Sequence, residues 1–400
     1  MIKIESEIVE SMLDQHWDWF CKFILTKKLI QEKANKKEKT KITYRRFIRK
    51  FFGWKITDLE KIVKVKPEEI ELFADESEDY YQAYKNGIDK LNVSGLKFPK
   101  QSKKSNGCTS YKNISDVILE VFGYNDFLKG CSKWDKYDNG WGAYVFTQKL
   151  KIEVCPYCNR QYIFTIGNEE SKDEIDDGEE KKWERKGRPE IDHFFPKADY
   201  PYLSCSLFNF VPSCHACNHQ KSDLINKRIR DWDKIKNKKF KQENSYIKIL
   251  YPYKEGFSNP NEIARFVISR RKKSDPEYKE KKYKISLKYN QSNIRIHNTI
   301  EVFHLEELYN LHQLELSELV DGCRDYCDAQ RIYLAHFLAR KLGNKKSSRN
   351  LICLYEKKIR DILLGIPHNA NQIYLLKQLK EDLGKQFELN NFDINKILVE

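Results

Sequence analysis

Apolar side chains recur at helical spacing near the start of the chain, at Ile8, Met12, Leu13, Trp17, Phe20, Phe23 and Ile24, and predict a helix over residues 5–35. From Lys27 to Lys55 the chain is dense in Lys and Arg, with Tyr44, Phe47, Phe51, Phe52 and Trp54 interleaved. Two readings fit TYRRFIRKFFGWK. Either an amphipathic helix buries its rings and leaves its cations in water, or the rings stay outside to stack on bases while the cations meet phosphates. The first needs no partner and is preferred. Residues 160–166 (RQYIFTI) and 188–195 (RPEIDHFF) read as short strands rich in aromatic and β-branched residues. Between them, NEESKDEIDDGEEKKWERKG is almost without apolar residues. It is expected to be a solvated excursion at a hairpin tip, pointing away from a polyanion or gating it.

Beyond Lys221 a polar, basic helix is expected to about Phe240, then two strands, ARFVISR and YKISLKYN. Helices follow from Asn293, on the spacing of Ile300, Val302, Phe303, Leu305, Leu308, Tyr309, Leu311 and Leu314, with Gly343, Gly365 and Pro367 punctuating the tail. KQSKKSNG at 100–107 reads as a polar linker. Four hundred residues exceed what one hydrophobic core usually serves. The expected class is α+β, with a mainly helical region 1–149, a small central module 150–228, a basic extension with short strands 229–292 and a helical region 293–400.

Charge sharpens this picture. The chain carries 73 Lys and Arg against 59 Asp and Glu, a net of +14, which favours a polyanionic partner. No secretory pattern opens the sequence, and no apolar run is long enough for a membrane helix, so a cytoplasmic protein is expected. In that reducing setting, eleven cysteines are not a disulfide framework. Seven of them, Cys21, Cys108, Cys131, Cys205, Cys323, Cys327 and Cys353, are scattered and are expected to be small apolar groups.

The other four form two CxxC turns, Cys155-Pro-Tyr-Cys158 and Cys214-His-Ala-Cys217. Each turn can present two thiolates on one side, and two such turns supply the closed four-sulfur shell of a structural zinc. His215 is the alternative donor. Between the turns stand Glu190-Ile-Asp192-His193 and Asn209, and the second turn runs straight into Asn218, His219 and Lys221. A neutral histidine near its ordinary pKa of about 6.5 can take a proton from water, which nominates His193 as general base. Lys221 lies four residues after Cys217, on one helical face, and could contact a substrate phosphate. Glu190 shares a strand face with Asp192 and is either an added ligand, a supporting partner or an ordinary exposed carboxylate.

A strand ending in Asp-His, a loop bearing Asn and a helix opening with Asn-x-x-Lys resembles the HNH (His-Me finger) endonucleases of the zinc-knuckle type, over roughly residues 150–225. The resemblance implies a ββα-metal core for the central module, with Asp192 and Asn218 as ligands of a catalytic Mg2+ or Mn2+. It also implies Asn209 as the residue that pins the loop carrying the base. Many members have histidine at the last position, which leaves His219 as an alternative to Asn218. The run from CPYCN through IDHFFPKADYPYLSCSLFNFVPSCHACNHQKSD, with the later YPYKEGF and NTIEVFHLEELYNLH, is similar to a narrower group. These are the HNH nucleases of Septu-type and retron-associated bacterial anti-phage systems (PtuB-type), and that likeness implies an ATPase partner. The expected activity is phosphodiester hydrolysis, on DNA first and RNA such as tRNA second. A zinc-stabilised nucleic-acid-binding subunit without catalysis is the reading from another class.

Overall fold

The computed structural model describes residues 1–33, 36–75, 77–100, 111–130, 140–167, 185–225, 248–258, 263–325, 337 and 376–388. The linker at 101–107, most of the acidic excursion, the helix beyond 225, the punctuation of the tail, and Cys108, Cys131, Cys327 and Cys353 lie outside these residues. The chain forms two compact units, one of Ile4–Glu153 with Ile163–Lys227, the other of Met1–Lys3, Val154–Tyr162 and Arg228–Glu400. No helix among the described residues is long and apolar enough to cross a membrane.

The first unit opens with α1 (Ser6–Glu10) and α2 (Leu13–Trp19), which runs on into a π-helical turn, Phe20–Ile24. The helix expected over 5–35 stops there. Lys28–Lys33 is instead strand β1, with Leu29 and Gln31 buried at alternate positions, paired antiparallel with β2 (Lys36–Thr43). Here the period-two pattern overrides the helical one, because Leu29 and Gln31 must face the same side of a sheet. With β3 (Leu96–Pro99) and β4 (Tyr111–Lys112) they form a four-stranded sheet in the order β2-β1-β3-β4. The N-terminal region thus carries a small sheet beside its helices.

Helix α3 (Tyr44–Phe52) is capped by Thr43, whose hydroxyl accepts from the Arg46 amide, and stopped by Gly53 at φ 78°. Tyr44, Phe47, Ile48, Phe51 and Phe52 are all buried, so the rings are core and the base-stacking alternative falls. The other helices of this unit are α4 (Ile56–Val63), α5 (Ile70–Ala74), α6 (Asp79–Val93), α7 (Ile114–Val121), α8 (Tyr124–Lys129) and α9 (Ala143–Leu150), of which α6 packs against α3. A second aromatic cluster joins Trp19, Phe127, Trp141, Phe146 and Phe210. Of the two strands expected around the excursion, RQYIFTI contributes only β5 (Ile166–Gly167), paired with β6 (Arg185–Gly187). RPEIDHFF contributes β7 (Glu190–His193), antiparallel to β8 (Phe210–Ser213) with Asp192 opposite Val211 and His193 opposite Phe210. Helix α10 (His215–Ile225) follows at once, giving a β–β–α unit.

In the second unit the expected strands form a hairpin, β9 (Ala264–Arg270) with β10 (Tyr283–Tyr289). Its buried face packs with α14 (Lys377–Glu388), and its solvent face carries Arg265, Lys284 and Lys288, with Lys288 opposite Arg265. The expected helices after Asn293 are α11 (Ile294–Val302), α12 (Leu305–Tyr309) and α13 (Gln313–Asp325).

One fully buried histidine ties the first unit together. The His16 Nε2–H donates to the Cys205 carbonyl at 2.6 Å, and its Nδ1 accepts from the Trp141 indole at 2.9 Å. Burial lowers its pKa to about 4. The unfolded chain therefore takes up a proton near pH 6.5 while the fold resists until about 4, so stability is lost as pH falls through that window. The unfolding free energy, read by urea titration between pH 7 and 4, should fall less steeply in His16→Gln, by about 1.4 kcal/mol per pH unit. Identical slopes would refute the assignment.

Candidate functional site

The first CxxC turn is a tight knuckle: the Asn159 amide donates to the Cys155 carbonyl at 2.7 Å, with Asn159 itself at φ 52°. Asparagine tolerates that left-handed backbone better than most residues. The Tyr309 hydroxyl caps the Cys158 carbonyl at 2.8 Å. Cys214 leads into α10 and Cys217 lies in its first turn, one helical step away on the same side. All four sulfurs are buried and lie within 4.8 Å of one another, a set that could hold a metal ion. Four thiolates bound tetrahedrally at about 2.3 Å stand about 3.8 Å apart, so little contraction is needed. His215, the alternative donor, is exposed and bonded elsewhere, its Nδ1 2.7 Å from Glu190 Oε1.

Strand β7 presents Glu190 and Asp192 to α10. The two are about 6.7 Å apart along the strand, and the helix answers with His215, Asn218 and Lys221 at steps of about 4.5 Å. The Asn218 amide donates to Glu190 Oε2 at 2.6 Å. Burial alone would raise the Glu190 carboxyl; hydrogen bonds from His215 and Asn218 overcome it and hold the group below its ordinary range. The same bond raises the His215 imidazole. His219, the alternative to Asn218, is exposed, and Asn218 is the one turned to the strand.

Lys221 departs from the sequence expectation. It is buried, and its ammonium lies 3.0 and 2.9 Å from the two Asp192 oxygens and 2.6 Å from the His193 carbonyl. Burial depresses its pKa against the opposing pull of Asp192. A side chain held there does not reach out to a phosphate. Its helical position, one turn beyond Cys217, is what points it inward.

His193 ends β7 with its ring on the aromatic cluster, 5.2 Å from Phe210 and 4.7 Å from Tyr124. Its Nε2 lies 3.2 Å from the Ser204 carbonyl. A carbonyl only accepts, so Nε2 carries the proton and Nδ1 keeps the free lone pair. Burial, then the charge of Lys197, lowers its pKa to about 3, far from the ordinary value the sequence suggested. The ring is therefore neutral at physiological pH.

Asn209 clamps the intervening loop at both ends of its side chain: Oδ1 accepts from the Phe195 amide at 2.7 Å, and Nδ2 donates to the carbonyls of Phe195 and Leu203, each at 3.0 Å. Three residues of the site had escaped notice in the sequence. Tyr124 lies far away in the chain with no motif around it. Lys197 stands inside the DHFFPK run without a partner to give it meaning. Ser204 contributes only its backbone, which sequence does not announce. For an oxygen-loving divalent cation, Glu190 and the Asn218 side-chain oxygen stand on the facing strand and helix, whereas both Asp192 oxygens already meet the buried Lys221 ammonium and would have to be released from it. No protein-family model, curated protein or solved structure matches the chain.

Two outcomes are expected. Cys155→Ser or Cys217→Ser should abolish retention of the sulfur-bound metal and lower the melting temperature; full metal content by elemental analysis would contradict the four-thiol shell. Lys221→Met leaves a buried carboxylate without its cation and should cost roughly 3–5 kcal/mol, most of it recovered in Lys221→Met/Asp192→Asn. Additive effects in that double-mutant cycle, measured by denaturant unfolding, would remove the ion pair from the account.

Proposed function

We propose that the chain is a metal-dependent HNH-type endonuclease that hydrolyses phosphodiester bonds, with DNA the first substrate class. The observation that carries this reading is the imidazole of His193: neutral, held by its Nε2–H on the Ser204 carbonyl, and left with one unprotonated nitrogen at the end of the strand that also carries Asp192. In the proposed reaction a water proton passes to Nδ1 as the water oxygen bonds to phosphorus, and the bond to the 3′ oxygen breaks. A bound phosphate would favour the protonated ring that results. Asp192, once released from Lys221, and Asn218 would hold Mg2+ or Mn2+, with Glu190 alongside. The chemistry supplied by such an ion is neutralisation of charge on the phosphate and the departing oxygen. Asn209 keeps the loop and its Ser204 carbonyl in place, and thereby the tautomer of His193. Cys155, Cys158, Cys214 and Cys217 would bind zinc, in a closed shell that serves folding rather than hydrolysis.

A polyanionic substrate suits the net charge and the solvent face of the β9–β10 hairpin, where Arg265 and Lys288 stand directly opposite each other. Like charges so placed are unfavourable unless an anion lies over them. Assignment to a Septu-type anti-phage system with an ATPase partner rests on the sequence resemblance. The test is nicking of supercoiled plasmid with Mg2+ or Mn2+, with structured RNA as a parallel substrate. His193→Ala should retain the sulfur-bound metal and the fold while losing at least about 10²-fold in cutting. Equal cutting by wild type and His193→Ala would sink the reading.

A further inference from the structure

Lys197 sits in the site without an assigned task. It follows Pro196, four residues beyond His193, and is half-buried. Its ammonium lies 4.3 Å from the centroid of the Tyr124 ring, and the His193 ring lies 4.7 Å from that same centroid. Cation and imidazole thus meet at one buried aromatic ring. No carboxylate among the described residues pairs with Lys197. Lys221, Lys27 and Lys112 of this unit are matched by Asp192, Asp126 and Glu120, and Lys149, which also lies over an aromatic ring, donates to the Gln15 side-chain oxygen. The face of a tyrosine offsets part of the cost of drying an ammonium, yet leaves its N–H donors short of a strong acceptor. A neutral imidazole beside it adds no negative charge. An anion would complete those donors, and His193 shares the Tyr124 ring with them.

We infer that Lys197, seated on Tyr124, is the cation that receives the substrate phosphate attacked under His193, the part that Lys221 is too buried to play. The inference rests on the nuclease reading for the identity of the anion. Tyr124 serves as a platform that fixes both the ammonium and the imidazole.

The experiment measures binding of a short DNA duplex by fluorescence anisotropy across a salt series, in His193→Ala so that no cutting intervenes, with and without Lys197→Met. Losing one phosphate contact should flatten the slope of log affinity against log salt by about 0.9. In the otherwise wild-type protein, Lys197→Met should lower cutting by about 10²-fold at an unchanged melting temperature, and Lys197→Arg should restore much of it. If wild type cuts and Lys197→Met cuts and binds equally well, the inference fails while the nuclease reading stands. If no variant cuts but the slope still flattens, the phosphate seat stands and catalysis by this chain does not. Absence of both binding and cutting overturns the two together.

Discussion

Every residue from Tyr200 to Asn209 is buried, although the segment is a loop, and buried backbone must find hydrogen-bond partners. That requirement governs the site. Two 3-10 turns satisfy part of it, at Pro201–Leu203 and Leu207–Asn209. The rest comes from side chains: Asn209 on Phe195 and Leu203, His16 on Cys205, and His193 itself on Ser204. The loop in turn reaches outward, Ser206 to the Ile62 carbonyl and Tyr202 to the Phe73 carbonyl. The N-terminal elements are thus part of what holds His193, because carbonyls of α4 and α5 and the ring of His16 complete the loop's hydrogen bonding.

Charge in the site is divided between two lysines in opposite situations. Lys221 is spent internally, holding the Asp192 carboxylate and the His193 carbonyl in a fixed relation. Lys197 has an aromatic ring where a carboxylate would usually be. A buried ion pair gives geometric definition more than net stability, whereas an unmatched cation leaves an interaction for something else to complete. Within one β–β–α unit, the first arrangement sets positions and the second leaves room for chemistry. Glu190, His215 and Asn218 make a third, more exposed group at the open end of the same strand–helix pair.

Much of this was legible in local pattern. The two CxxC turns, the strand ending at Asp192 and His193, the two strands β9 and β10 and the helices after Asn293 each follow from spacing within a dozen residues, whereas the partner of β7 did not: the pattern pointed to residues 160–166, and β7 pairs with β8. The burial of the rings in α3 followed from its amphipathic period. Pattern failed where two periods competed, as at Leu29 and Gln31, where pairing with β2 decided for strand, and at RQYIFTI, where only the last residue entered a sheet.

The sequence by itself determined which kinds of group the site contains, the sulfurs of Cys155, Cys158, Cys214 and Cys217, the side-chain oxygens of Asp192, Asn218 and Glu190, and the imidazole of His193, because these depend on residue type and short spacing. The tertiary structure alone decided what each group does with its neighbours. It turned Lys221 inward, fixed the proton of His193 on Nε2 through Ser204, drew its pKa down by burial, and brought Tyr124 and Lys197 to its side. Those outcomes depend on desolvation and on partners remote in the chain, and neither is written in any local run of residues.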